Sequence, residues 1–160
     1  MPTPCNLKVE GYPGSSEKEN RKDTSDVFEI EHHIHQPVDL TTGQATGVRV
    51  HSPMRVVKLI DKASPGLQKA LCTGQNIAKV TLDFYRIDPA SQYEDIYYTI
   101  TLTNGRVVDI RPYMPMSFLP QNETYRHMEQ VSFVYEQIEW KWVPDGVTEM
   151  DKWRSPGAGK

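Results

Sequence analysis

Apolar and polar residues alternate with a period of two along most of this chain. From Cys5 to Glu10, the residues Cys5, Leu7 and Val9 share one face. From Ala78 to Phe84 the apolar set is Ala78, Val80, Leu82 and Phe84; from Ile96 to Leu102 it is Ile96, Tyr98, Ile100 and Leu102, with threonines opposite. Strict alternation predicts strands with one face in a core and the other in water. Asn104-Gly105 follows the third segment and precedes Arg106 to Ile110, which predicts a tight type I′ hairpin pairing Leu102 with Val107. That register puts Val108 and Ile110 on the threonine side, so either a bulge resets it or the second face is also covered. From Val131 to Trp142 the apolar parity changes: Val131, Phe133 and Tyr135 are odd, whereas Ile138, Trp140 and Trp142 are even. Such a change suits a curved barrel or a chain that also packs on neighbours.

One segment has a helical period instead. Leu67, Ala70 and Leu71 form an i, i+3, i+4 stripe between Ser64-Pro65 and Gly74. Ser64 fits an N-cap, Pro65 the first helical position and Gly74 the stop, giving one helix over about residues 64–73 lying against a sheet. Residues 15–25 (SSEKENRKDTS) read as a charged, solvated loop. Residues 40–53 (LTTGQATGVRVHSP) are a long Gly- and Thr-rich excursion between strands, and residues 114–124 form a proline-punctuated loop. The expected architecture is mainly β, one domain over residues 1–153, with a frayed tail over 154–160.

Composition narrows the function classes. A formal charge of −3 in 160 residues provides no broad cationic field for nucleic acid or an anionic membrane. No apolar run approaches the ~18 residues that a spanning helix needs. The opening MPTPCNLKVEGYPG lacks a basic region followed by an apolar one, so the expectation is cytosolic synthesis without Sec export. Two cysteines, Cys5 and Cys72, are too few for a disulfide framework and read as buried thiols.

The densest candidate chemistry is EHHIHQPVD, residues 31–39. On a strand from Val27 to His35, Phe28, Ile30, His32 and Ile34 fall on one face and Glu29, Glu31, His33 and His35 on the other. Imidazole and carboxylate two residues apart suit zinc or iron, but only two histidines share the polar face. The wet face of a half-exposed strand accounts for the same letters, and no cofactor is expected. His51 and His127 have no motif tying them to the cluster. No G-x-S-x-G, C-x-x-C, Walker A or G-x-G-x-x-G pattern occurs. Asp109 and Glu129 have no signal bringing them together as an acid–base pair. Asn122-Glu123-Thr124 is a sequon without a secretory context, and Trp140, Trp142 and Trp153 read as packing and subunit contact.

The ordered string of segments is more specific. MPTPCNLKVEGYPG, then His35-Gln36-Pro37, TGVRVHSPMRVVKLIDKASPGLQKALCTGQ, LDFYR, VSFVYEQIEWKW and DKWRSP resemble the hemolysin-coregulated protein family, Hcp or TssD, over residues 1–156. That family forms the tube of the type VI secretion system. SSEKENRKDTS and MPMSFLPQNETYRHM depart from its pattern. The resemblance implies a compact β-barrel of two sheets flanked by one helix, as one wedge of a hexameric ring. Rings stack into a tube inside a contractile sheath, which drives the tube through the envelope, and some effectors ride in the lumen.

The implied partners are other copies of the chain, the sheath, spike and baseplate proteins, and secreted effectors, with no nucleic acid and no membrane insertion. The implied route runs from the bacterial cytoplasm to the outside or into a target cell, without a signal peptide, and no catalysis is implied. By resemblance the ring-stacking loop contains Thr41, Thr42, Gln44, Thr46, Arg49 and His51. A closed ring needs two different complementary surfaces per subunit; Val108, Ile110, Ile138, Trp140 and Trp142 are the interface candidates. Glu29, Glu31, His33, His35, Thr99 and Thr101 are lumen candidates. Two rival readings are a metal-dependent hydrolase or effector using His32 to His35, and a monomeric β-rich binding module using its tryptophans.

Overall fold

The structure is a computed structural model and describes residues 3–153; the tail expected over 154–160 lies outside the described residues. Its strands are β1 (Cys5–Val9), β2 (Ser25–Glu31), β3 (Ile34–His35), β4 (Val50–His51), β5 (Met54–Leu59), β6 (Ile77–Ile87), β7 (Glu94–Tyr113), β8 (Met128–Val134), β9 (Gln137–Trp142) and β10 (Val147–Lys152), with one α-helix, α1 (Ser64–Thr73). The hydrogen-bonded order β7-β6-β1-β2-β5-β8 closes on itself through a β7–β8 pairing, making a six-stranded antiparallel barrel. β9 and β10 extend the sheet outward from β7, and β3–β4 form a separate two-stranded ribbon.

The core is the set of inward alternations: Leu7 and Val9, Met54 and Val56, Val80 and Leu82, Ile100 and Leu102, Val131 and Phe133, and Ile138. α1 adds Leu67, with no exposed surface, and buried Ala70. Gly74 ends the helix in the left-handed region at φ 67°, a conformation that glycine takes without steric cost. Ser64, however, is not the N-cap. That position belongs to Ala63, and the Asp61 carboxylate accepts from the Ala63 N–H at 3.0 Å.

The Ser64 hydroxyl is engaged deeper. It donates to Glu129 Oε1 at 2.7 Å, beside a Lys58–Glu129 ion pair at 2.5 Å whose side chains are 0% and 1% exposed. Lys58 Nζ also donates to Asp61 Oδ1 and to the Leu59 carbonyl, both at 3.1 Å, and Ser25 donates to Asp61 Oδ2 at 2.6 Å. Lys58 and Glu129 face one another across β5 and β8, one register position beyond the Val57–Gln130 pair. The charges are tolerable inside because each has several partners.

The expected hairpin at Asn104-Gly105 is absent. β7 runs straight through it for 20 residues: Tyr98 to Thr103 pair with β9 on one side and β6 on the other, and Arg106 to Tyr113 pair with β8. Asn104 takes the positive φ (51°) that the dipeptide signalled, but as a bend in a strand that changes partners. A Cβ on Gly105 would stand 2.8 Å from the Val134 carbonyl oxygen, so the bend needs glycine. The parity change in residues 131–142 is the matching event on the other chain segment. β8 ends at Val134 and β9 begins at Gln137, so two strands occupy what reads as one.

Other departures are register shifts. A shift between Val107 and Asp109 leaves Val108 unpaired and returns Ile110 to the core side, where it packs on the cluster. A shift between Val27 and Glu29 expels Phe28, 61% exposed, from its expected core face. Ile77, not Ala78, is the buried residue at the start of β6. The charged loop before β2 is not wholly solvated: Arg21 is buried, donates to Asn6 at 3.1 Å, lies over the Tyr85 ring and pairs with Glu94. Of the two cysteines, Cys5 is half-buried and Cys72 is exposed, against the expectation of buried thiols. Burial and the nearby Asp83 push the Cys5 thiol up to about 12.

Lys58→Met leaves Glu129 and Asp61 without their internal cation and should cost about 3–5 kcal/mol in urea unfolding. Lys58→Met with Glu129→Leu should recover at least half of that loss. A loss below about 1 kcal/mol for the single variant would show that the pair is not the closed site described.

Candidate functional site

The histidine-rich stretch and the glycine-rich excursion form one object. β2 ends at Glu31, two irregular residues follow, and the chain then forms a narrow hairpin arm. β3 pairs with β4 through Ile34–His51 and His35–Val50, with a further bridge between Val38 and Ala45. The tip is closed by backbone bonds from Asp39 N to Gln44 O and from Gly43 N to Asp39 O, each 2.7 Å. The Asp39 carboxylate accepts from the N–H groups of Thr41 (2.7 Å) and Thr42 (3.3 Å), a local turn that suits aspartate. Thr41, Thr42, Gln44 and Thr46 are exposed along this arm, and Leu40 at the tip is 97% exposed. Gln36 reaches across to the Gly47 carbonyl.

The arm's root is clamped. Arg49 donates through Nε and Nη2 to the two Asp151 carboxylate oxygens, at 2.5 and 2.6 Å, and through Nη2 to the Lys152 carbonyl at 3.0 Å. His51 is 4% exposed and sits 2.8 Å from Asp151 Oδ2 through Nε2 and 2.7 Å from the Tyr135 hydroxyl through Nδ1. The Tyr135 hydroxyl is also 2.8 Å from His32 Nε2. Because the carboxylate only accepts, neutral histidines put these bonds in one direction. His32 Nε2–H donates to Tyr135, Tyr135 donates to His51 Nδ1, and His51 Nε2–H donates to Asp151. Trp153 lies against both the Tyr135 and His51 rings.

Electrostatics follows from this placement. Burial and the nearby Asp151 charge raise the Tyr135 hydroxyl pKa. The hydrogen bonds from Arg49, first, and from His51 lower that of Asp151, against an opposing effect of burial. Burial, then the charges of His51 and His33, lower that of His32.

These contacts redistribute the expected site residues. His51 is a root anchor rather than a stacking contact, since its ring is enclosed and both nitrogens are engaged. Arg49 is likewise at the root. Ile138, proposed for a subunit interface, has no exposed surface and belongs to the core, and Trp140 packs against that core. Val108 and Trp142 are partly exposed, and Arg86 lies over both the Trp142 and Tyr97 rings.

The polar residues divide into two groups. Glu29 and Glu31 both pair with Arg55, at 2.7 and 2.5 Å, and His33 stacks on His35 with ring centroids 4.9 Å apart. Thr99 donates to Asp83 at 3.1 Å, and Thr101 stands between Thr81 and Glu139 on the outer face of β6-β7-β9. Among the described residues there is no group of three or more side chains placed to hold a metal ion. Asp109 pairs with Ser132 while Glu129 pairs with Lys58, so they form no acid–base couple. Tyr135, Asp151 and Leu40 were not singled out from sequence; the first two act across about a hundred residues, which no local pattern reports.

A closed antiparallel barrel carrying an anchored, water-exposed hairpin arm is the class of fold that these residues define. The comparisons with known proteins give that class its family. The profile described as "Type VI secretion system effector, Hcp" matches residues 6–142. The major exported protein of Pseudomonas aeruginosa PAO1 is 39% identical over 151 residues, covering 94% of this chain and 87% of that protein. Among solved structures, the Hcp1 protein from E. coli EAEC 042 aligns with a TM-score of 0.80 at 32% identity, covering 96% of this chain and 99% of that one. The secreted protein Hcp3 from Pseudomonas aeruginosa aligns at 0.74 and 28% identity, covering 96% and 100%. The chain belongs to the Hcp family of the type VI secretion system. No helix among the described residues is long and apolar enough to cross a membrane.

The root clamp should weaken in acid. Burial holds the folded pKa of His32 below the ordinary histidine value of 6.5, so the unfolded chain takes up the proton first and stability falls as pH drops below about 6.5. Asp151, depressed from 3.8, adds a second loss only at lower pH. His32→Gln keeps an N–H for Tyr135 and removes the first titration. Its urea midpoint should fall less than that of the wild type between pH 7 and 5; equal slopes would contradict the assignment.

Proposed function

We propose that this chain is the inner-tube subunit of a type VI secretion system. Six copies form a ring, rings stack through the arms, and sheath contraction expels the tube with effectors in its lumen. The name of the Pseudomonas aeruginosa relative, an exported protein, supports export of this chain. The observation that carries the assembly reading is the arm: a hairpin clamped at Arg49 and His51, whose hydrogen-bonded tip holds Leu40 in water. Burying a leucine-sized side chain contributes about 2 kcal/mol. Each subunit of a ring brings one such tip, so modest single contacts add up over the ring.

A closed ring needs two unlike lateral surfaces per subunit. The Val108 bulge on β7 and the Trp142–Tyr97–Arg86 stack at the end of β9 supply separate candidates. Thr99 and Thr101, with Thr81 and Glu139 beside them, form the polar sheet face best suited to a water-filled lumen. The Glu29–Glu31 edge instead flanks Phe28, which is suited to a protein contact. Partners in the machine, as distinct from other copies, are the sheath, spike and baseplate proteins.

Replacing residues 36–48 with a short Gly-Ser turn retains Arg49, His51 and the whole barrel. Rings should persist in native mass spectrometry, while stacked tubes in negative-stain micrographs should fall at least tenfold. Loss of the rings, or tubes at the wild-type level, would contradict the division between lateral and axial contacts.

A further inference from the structure

Resting on the reading that the arm makes the axial contact, the geometry points to its seat. We propose that the arm tip of one copy docks in the pocket beneath residues 114–127 of a second copy. The strand registers put the two features at opposite ends of the same sheet. The arm leaves after Glu31, which pairs with Arg55, and returns just before Met54, which pairs with Phe133. The loop over residues 114–127 joins Tyr113 to Met128, and Met128 pairs with both Tyr113 and Leu59. From Met54 to Leu59 is about 17 Å of strand, so knob and socket are separated by the length of the barrel wall. A knob at one end and its socket at the other make a heterologous contact that propagates head to tail instead of closing as a two-fold pair.

Shape and charge agree with this occupant. The tip is a rigid turn, cross-bonded between Asp39, Gly43 and Gln44, that presents Leu40 with almost no contact to its own chain. The pocket has a volume of about 360 Å³, with Met114, Pro115 and Tyr125 as apolar lining and Arg126 and His127 beside them. Asp39, next to Leu40, carries the only formal charge between Val38 and Gly47, and the guanidinium of Arg126 is of opposite sign. Asn122 holds the loop by donating to the Met116 carbonyl at 3.1 Å, and the turn Pro120–Asn122 supports it. Met116 and Phe118, 78% exposed, widen the apolar rim and give the flanking Val38 and Val48 of the arm a surface to cover. Met-rich rims adapt to such contacts.

The test is crosslinking between two proteins, each with one engineered cysteine, made in a Cys72→Ser background that removes the exposed thiol and keeps the half-buried Cys5 in every variant alike. One carries Leu40→Cys and the other Ser117→Cys; the control partner carries Thr148→Cys, on β10. All three positions are exposed, so the barrel is left intact. The proteins are mixed at a concentration where the wild type stacks, treated with a short bismaleimide, and the heterodimer is quantified by mass spectrometry. The expected result is at least a fivefold excess of the Leu40→Cys/Ser117→Cys heterodimer over the Leu40→Cys/Thr148→Cys control. Equal yields would overturn the seat. Micrographs of the untreated wild type report separately on the tube reading: tubes without enrichment place the arm's seat elsewhere, whereas absence of rings and tubes counts against the tube itself.

Discussion

The fold depends on β7 serving three partners with one backbone. Its first half lies between β6 and β9 and its second half closes the barrel against β8. The exchange happens at Asn104-Gly105, where a positive φ turns the strand and the missing Cβ admits the Val134 carbonyl. Closure removes the two barrel edges that would otherwise offer unpaired backbone to any neighbour. Among the described residues, β10 ends the extended sheet and the arm stands apart as a two-stranded ribbon. The strand that completes the core thus also decides which backbone edges are paired.

Two buried polar networks follow one rule, in which charged and polar groups are enclosed with partners that replace water; the buried Arg21 Nε is the exception among the described residues. Lys58, Glu129, Asp61 and Ser64 tie β5 and β8 to the start of α1, at the barrel end where the 114–127 loop sits. His32, Tyr135, His51 and Asp151 tie β8, β4 and β10 together at the other end. Each network fixes one end of β5.

Much of this was legible in the letters. Alternation identified the buried faces of β1, β7 and β8, and the Pro65–Gly74 frame placed α1 at its observed bounds. Misreadings came where tertiary pairing overrides a local signal. Asn104-Gly105 has the chemistry of a hairpin turn, yet the following residues pair with β8, a partner distant in sequence. Ser64 has the chemistry of a cap, yet a buried carboxylate claims its hydroxyl. Phe28 and Val108 left their expected faces because bulges change the register, which a period of two cannot reveal. EHHIHQPVD held three different fates in five residues. Glu31 pairs with Arg55, His32 bonds Tyr135, and His33 and His35 stack on one another. The anchoring of Arg49 and His51 by Asp151 gave no local signal, because that partner lies about a hundred residues away.

A hexameric ring is the premise on which arm, lumen and lateral surfaces all rest. Native mass spectrometry of the purified wild-type protein at micromolar concentration tests it most directly. The expected result is a dominant species at six times the 18.3 kDa subunit mass, with dimers of that ring appearing as concentration rises. A monomer alone across the same range would contradict self-assembly as the basis of the chain's function.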